Sequence, residues 1–170
     1  MSRWRPAAPK SSPYVTAGGA RRLEAELKAL WERRADVTKH LAAAAAEGDR
    51  SENAEYIYRK KELREIDRRI RYLQKRLPLL KVVDQVPKDS GRVFFGAWVT
   101  LENQAGDEIT FRIVGADELD TRQGWISVDS PMARALLKKT VDEEVAVETP
   151  GGLARWFIVE VRYEAEGSSG

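Results

Sequence analysis

The sequence predicts an α+β chain: an N-terminal antiparallel α-helical coiled-coil hairpin, then a small antiparallel β-sheet domain carrying one helix. Three observations lead there: two stretches with apolar residues at heptad spacing, a short polar reversal between them, and a second half of short runs rich in β-branched and aromatic residues. A chain of 170 residues has room for one domain or two small ones, and the change of period favours two.

Residues 1–12 combine Arg3, Arg5 and Lys10 with two prolines and no apolar period, the composition of a disordered extension. Residues 13–85 are assigned to the hairpin. In its first arm Leu23, Leu27, Leu30, Val37, Leu41 and Ala44 alternate at steps of four and three, with Arg34 interrupting. In its second arm Tyr56, Leu63, Ile66, Ile70, Leu73, Leu77 and Leu80 do the same, with Arg59 interrupting. One narrow apolar seam leaves most of a helix polar and calls for a single partner helix of the same kind. The few residues around Gly48 to Asn53 allow only a tight reversal, so the arms run antiparallel. About 30 residues per arm at 1.5 Å each makes a rod of roughly 45 Å.

Residues 86–91 carry the Pro, Asp, Ser and Gly of a linker, and residues 92–163 form the β-rich domain. Strands are expected over 93–101, 108–114, 124–128, 145–147 and 154–163, with turns at residues 103–106 and 149–152. In the last strand Phe157, Val159, Val161 and Tyr163 alternate with Trp156, Ile158, Glu160 and Arg162, the pattern of a strand with one face on a core. Ser130 followed by Pro131 marks an N-cap and first helical turn, and Met132, Ala133, Leu136 and Leu137 supply an apolar face. Residues 164–170 read as a flexible tail.

Composition narrows the function. With no cysteine there is neither a disulfide framework nor a thiolate metal site, and a reducing cytoplasm is the expected setting. No apolar run approaches the roughly 20 residues that span a bilayer. The net charge is only +2, so any affinity for nucleic acid must come from local segregation of charge. Such segregation exists on the second arm. Between residues 55 and 81 ten basic residues face four acids, and Lys61, Arg64, Arg68, Arg71 and Lys75, with Lys60 beside them, form a continuous stripe away from the seam. The stripe suits salt-sensitive, sequence-tolerant contact with phosphates. A solvated face with i,i+4 pairs, Glu55 to Arg59, Glu65 to Arg69 and Asp67 to Arg71, is the competing reading.

At the reversal, Asp49 and Glu52 stand three residues apart. They fit a capping box, Asp49 as N-cap and Glu52 at the third helical position. They equally offer two hard oxygen ligands that hold Mg²⁺ weakly and leave the rest of an octahedron to others. With no enclosing cavity, third ligand or base, the chain alone is not expected to be an enzyme. His40, outside both seams, is expected at the surface, and Trp31, Trp98, Trp125 and Trp156 are expected to pack rather than to stack on bases.

The strings GDRSENAEY, YRKKELREIDRRIRYL, VFFGAWV and ISVDSPMARALL closely resemble the Gre family of bacterial transcript cleavage factors, from about Pro13 to Tyr163. The resemblance implies a coiled-coil hairpin and a C-terminal domain similar in fold to FKBP-type prolyl isomerases, although nothing in the sequence points to that catalysis. It implies a monomeric factor, without membrane contact, that enters the secondary channel of RNA polymerase and stimulates the polymerase's own cleavage of backtracked RNA. By the same resemblance Asp49 helps hold a Mg²⁺ shared with the polymerase active centre, and Glu52 orients or deprotonates the attacking water. Ser51 and Asn53 position that water, and the stripe guides the nascent RNA 3′ segment. Ser127, Asp129, Ser130 and Pro131 contact a coiled coil of the largest polymerase subunit. The alternatives are a non-catalytic occupant of the same channel that inhibits the polymerase, and a stand-alone RNA-binding module.

Overall fold

Heptad seams without flanking apolar positions form long helices that bury one stripe, and the hairpin consists of two. The computed structural model describes residues 10–47 and 53–164. They fall into two compact units, Ala20–Leu80 and the combination of Met1–Gly19 with Lys81–Gly170.

In the hairpin unit, helix α1 (Ala17–Ala46) is followed by α2 (Ala54–Arg76). Leu23, Val37 and Ala44 of α1 and Ile66, Ile70 and Leu73 of α2 are buried, as the seam requires. Leu27, Leu30 and Leu63 pack against Val37, Ile66 and Ile70. Ion pairs across the hairpin fix the antiparallel direction: Glu26 with Arg69 at 2.7 Å, Arg33 with Glu62, and Arg34 with Asp67 at 2.7 Å. As the α1 number rises, the α2 number paired with it tends to fall. Pro78 sits in a single 3-10 turn, Leu77–Leu79, which ends the helical arm because proline cannot continue the α-helical ladder.

In the other unit, strand β1 (Tyr14–Val15) pairs in parallel with β2 (Lys81–Val82), so the chain segments that lead into and out of the hairpin lie side by side. Residues 13–19 and 81–85, expected with the hairpin, group by their contacts with the β-rich unit. A buried carboxylate holds them there. Glu118, only 7% exposed, accepts from the backbone N–H of Thr16 at 3.1 Å and of Gly115 at 2.7 Å, and from the Thr16 hydroxyl. Thr16 Oγ1 in turn accepts the N–H of Gly19 at 3.0 Å, capping the first turn of α1. Glycine is required here for space, since a Cβ on Gly19 would fall 1.9 Å from Glu118 Oε1 and one on Gly115 2.1 Å from the Tyr14 carbonyl.

The main sheet holds β3 (Trp98–Glu102), β4 (Glu108–Val114), β5 (Trp125–Ser127), β6 (Glu144–Thr149) and β7 (Gly152–Arg162) in the order β5-β4-β3-β7-β6. It is not wholly antiparallel as expected: the edge strand β5 runs parallel to β4. Between them a 3-10 turn, Thr121–Gln123, and left-handed Gly124 reverse the chain, and a Cβ on Gly124 would meet the Thr110 carbonyl at 2.8 Å. The expected strand over 93–101 is shorter, because the backbone turns at Gly96, φ 87°, before the ladder starts. Helix α3 (Pro131–Leu136) starts as expected, with Ser130 Oγ accepting the Ala133 N–H at 3.2 Å. Val93, Ala97, Val99, Leu101, Ile113, Ala133, Leu136, Val145 and Ile158 form the core.

Strand β7 does not keep one face inward. Thr100 pairs with Glu160 but Leu101 pairs with Ile158, so Val159 is an extra residue in a bulge. Trp156 and Ile158 point to the core before the bulge, Val161 and Tyr163 after it, while Phe157 and Val159 are exposed. Beyond β7 the Tyr163 hydroxyl donates to the Arg92 carbonyl at 2.5 Å and accepts the Phe94 N–H at 2.8 Å, and burial holds its pKa above the ordinary phenol value. On the outer face Trp125, Arg112, Trp98 and Arg162 follow one another across four strands in register. The Arg112 guanidinium lies 5.5 Å from the Trp125 ring centre and 6.0 Å from that of Trp98, and Arg162 lies 4.8 Å from Trp98. These two tryptophans pack, as expected.

Glu118→Ala leaves three donors without their acceptor and is expected to lower the unfolding free energy by about 2–3 kcal/mol, measured by urea denaturation with tryptophan fluorescence. Gly19→Ala is expected to destabilise the parent and to cost less in the Glu118→Ala background, where its clash partner is gone.

Candidate functional site

The α2 helix does not begin on the expected capping box. Its N-cap is Asn53, whose Oδ1 accepts the Tyr56 N–H at 3.1 Å from an extended backbone. The Asn53 Nδ2 donates to the carbonyl of Ala44 at 2.8 Å, near the end of α1, so one amide closes the first turn of α2 and ties it to the preceding arm. A capping box on Asp49 and Glu52 is thereby corrected, and the two acids precede the cap in sequence. Asp49, Ser51 and Glu52 lie outside the described residues. Asn53, expected to position water, has both ends of its amide bonded within the hairpin.

The basic face begins just beyond this cap. Lys60, Lys61, Arg64, Arg68, Arg71 and Lys75 are all exposed. Among the described residues no ion pair reaches Lys61, Arg64, Arg68, Arg71 or Lys75, and the Lys60 ammonium lies 5.8 Å from the Tyr56 ring centre. Of the three expected i,i+4 pairs only Glu55 to Arg59 forms, at 2.9 Å. Hydrogen bonding to Glu55, with Glu62 adding to it at 3.1 Å, raises the Arg59 guanidinium above its ordinary pKa. Asp67 is drawn across the hairpin to Arg34, and Arg69 to Glu26. Asp67 and Glu62 are thus turned toward α1, Glu55 is engaged by Arg59, and among the described residues no ion pair reaches the stripe. His40 is exposed, its Nδ1 2.9 Å from the Asp36 carbonyl, and Trp31 is exposed as well, with Arg34 6.0 Å from its ring centre.

A second group lies in the β-rich unit, where Ser127, Asp129, Ser130 and Pro131 form one short turn. Ser127 Oγ accepts the Asp129 N–H at 3.1 Å, Ser130 caps α3, and Pro131 is exposed at its first position. The Asp129 carboxylate is engaged within the chain: Oδ2 accepts the Ser12 N–H at 2.9 Å and Oδ1 accepts the Ser12 hydroxyl. The expected disordered extension is corrected at its end, for Ser12 is held, while residues 1–9 lie outside the described part, as do residues 165–170 of the tail. Ser12 and Glu118 were not legible as site or anchor residues, although Ser12-Pro13 ahead of a Tyr-Val pair signals a chain entering a strand.

Among the described residues no group of three or more His, Cys, Asp or Glu is placed to hold a metal ion. No helix among them is long and apolar enough to cross a membrane. The family model described as transcription elongation factor, N-terminal, matches residues 13–82, and that for the GreA/GreB C-terminal part matches residues 88–163. The chain belongs to the GreA/GreB family of transcription elongation factors. Its relatives within that family include transcription elongation factor GreB of Pseudomonas aeruginosa, 58% identical over 96% of this chain and 98% of that protein. GreB of Xanthomonas axonopodis pv. citri is 59% identical, with the same coverage of both chains. Among solved structures, the GreA factor homolog 1 (Gfh1) of Thermus thermophilus is 27% identical over 88% of this chain and 97% of that one, with a TM-score of 0.39.

Asn53→Ala removes both the cap and the tie to Ala44. A loss of about 1–2 kcal/mol in hairpin stability is expected, with faster amide exchange at Tyr56 and Ile57, both of which bond to Asn53.

Proposed function

We propose that this GreA/GreB-family chain acts on RNA polymerase as an elongation factor, entering the secondary channel and stimulating the polymerase's own cleavage of backtracked RNA. The observation that carries the reading is the α2 face: exposed cations, unpaired among the described residues, begin immediately after a sequence that offers two carboxylates. Phosphates of the extruded RNA 3′ segment are held along that face as point charges, so binding weakens with salt and tolerates any sequence.

The donor chemistry of Asp49 and Glu52 fits Mg²⁺, which prefers oxygen ligands, but two carboxylates are an incomplete set. The polymerase must supply the remainder, and the chain by itself is an accessory to the chemistry rather than an enzyme. When bound, Mg²⁺ neutralises charge developing on the phosphate oxygens. Asp49 contributes a ligand, Glu52 accepts a proton from the attacking water or orients it, and Ser51 helps position that water. The turn at Ser127 to Pro131 docks on a coiled coil of the largest polymerase subunit. The factor works as a monomer in the cytoplasm.

Asp49→Ala or Glu52→Ala should lower stimulated cleavage by about 100-fold or more while binding to polymerase is retained, measured as transcript shortening in a backtracked complex with Mg²⁺. Wild-type cleavage by both variants would remove their catalytic role, and binding without cleavage by the parent would make the protein an inhibitor. Neutralising Lys61, Arg64 and Arg68 together should weaken crosslinking to the RNA 3′ segment and reduce the salt dependence of RNA contact by about 2 in slope. Unchanged crosslinking would return the stripe to a solvated face.

A further inference from the structure

We propose that a groove between α1 and α2 is a subsite for one unpaired nucleobase of the RNA held along the basic stripe, with the base stacked on the Tyr58 ring. The inference rests on the reading of that stripe as an RNA contact. The groove measures about 350 Å³, at the low end of the roughly 300–1,000 Å³ of small-ligand clefts. Leu30 and Ile66 give it apolar walls, and the Arg33–Glu62 ion pair spans the two helices beside them. Tyr58, Lys61 and Glu65 complete it from the α2 side. With about 3.6 residues per turn, Tyr58 and Glu65 fall on one flank of α2, between the buried seam and the stripe. An exposed ring therefore stands between an apolar groove and a row of cations.

The chemistry of the groove suits a base better than a phosphate or an apolar side chain. Tyr58 is 60% exposed, so most of its ring is left uncovered by the hairpin. The Arg59 guanidinium lies 5.6 Å from the ring centre, and Arg59 is itself bonded to Glu55 and Glu62 at 2.9 and 3.1 Å. The ring is thus held in one place, as a stacking platform must be. Glu65 has no ion pair among the described residues. Its carboxylate repels phosphate but accepts from the N–H groups that each RNA base carries on its edge. Lys61 belongs to both groove and stripe, three residues from Tyr58, so a nucleotide whose phosphate meets Lys61 can turn its base inward. Tyr58 stands only about 7–8 Å along the helix from the Asn53 cap. The base it takes therefore belongs to the nucleotides nearest the start of α2, and holding it fixes the RNA lengthwise, which a row of point charges cannot do.

The test uses the full chain on a backtracked RNA polymerase complex, with crosslinking to the extruded RNA measured against protein concentration. Tyr58→Ala should weaken this contact about tenfold, while Tyr58→Phe binds as the parent does and the salt dependence stays unchanged in both. Lys61→Ala instead lowers the salt slope by about 1. A series of transcripts, each with one abasic nucleotide in the extruded segment, should contain a position that reproduces the Tyr58→Ala loss in the parent and adds nothing to it in the Tyr58→Ala variant. The proposal is overturned if Tyr58→Ala crosslinks like the parent, if Tyr58→Phe loses as much as Tyr58→Ala, or if no abasic position behaves in this way. It is overturned too if Tyr58→Ala equally weakens binding to a polymerase complex without extruded RNA, which would make the groove a seat for a polymerase segment. Should neutralising Lys61, Arg64 and Arg68 together leave crosslinking unchanged, the RNA reading of the stripe fails and this inference with it; a stripe that behaves as expected beside an inert Tyr58 would remove only the inference.

Discussion

One carboxylate organises the base of this molecule. Glu118 gathers two backbone N–H groups and a hydroxyl from chain segments about a hundred residues apart, inside a pocket that only glycines at 19 and 115 leave open. An acid this buried is stable only when its oxygens are bonded, so the residues around it have little freedom of identity. Through Thr16 the same carboxylate touches the cap of α1, and through Tyr14 and Val15 it is tied to the short parallel pairing with Lys81 and Val82. The chain therefore leaves and re-enters the β-rich unit at two adjacent, fixed points.

On the hairpin the decisive matter is which acids are left for the basic face. Exposed ion pairs contribute little stability one by one. Their more important effect here is to sort charge: Asp67, Glu26 and Glu62 are committed to Arg34, Arg69, Arg33 and Arg59. Along α2 a row of exposed cations stays free of ion pairs among the described residues, and a low net charge for the whole chain conceals it. Asn53 completes the arrangement at the other end by tying the start of α2 to Ala44, just where the sequence places its two candidate ligands.

Much of this was legible in the sequence because it is periodic or local. The steps of three and four picked out Leu23, Val37, Ala44, Ile66, Ile70 and Leu73 as the seam, and Ser130-Pro131 announced α3. The misreadings have a common origin in partners distant along the chain. Glu118 looks like any loop acid until Thr16 is beside it, and Arg69 looks like the i,i+4 mate of Glu65 until Glu26 faces it from the other helix. Asn53 caps α2 and its amide also bonds the Ala44 carbonyl nine residues back, a link that the spacing of the acids does not reveal. In β7 the alternation is real, but one inserted residue at Val159 exchanges its faces, and alternation cannot reveal which residues oppose one another. Asp129 was legible as part of the turn that leads into α3, while its engagement with Ser12 depends on a segment that composition marks as disordered.

Native-state amide exchange bears most directly on the claim that residues 13–19 and 81–83 are built into the β-rich unit by Glu118. The amides of Thr16, Gly115, Lys81 and Val83 should open with the same free energy as those of the central strand β3, as one cooperative unit. If Thr16, Lys81 and Val83 exchanged rapidly while β3 stayed protected, these segments would be mere connections, and the anchoring role of Glu118 would be contradicted.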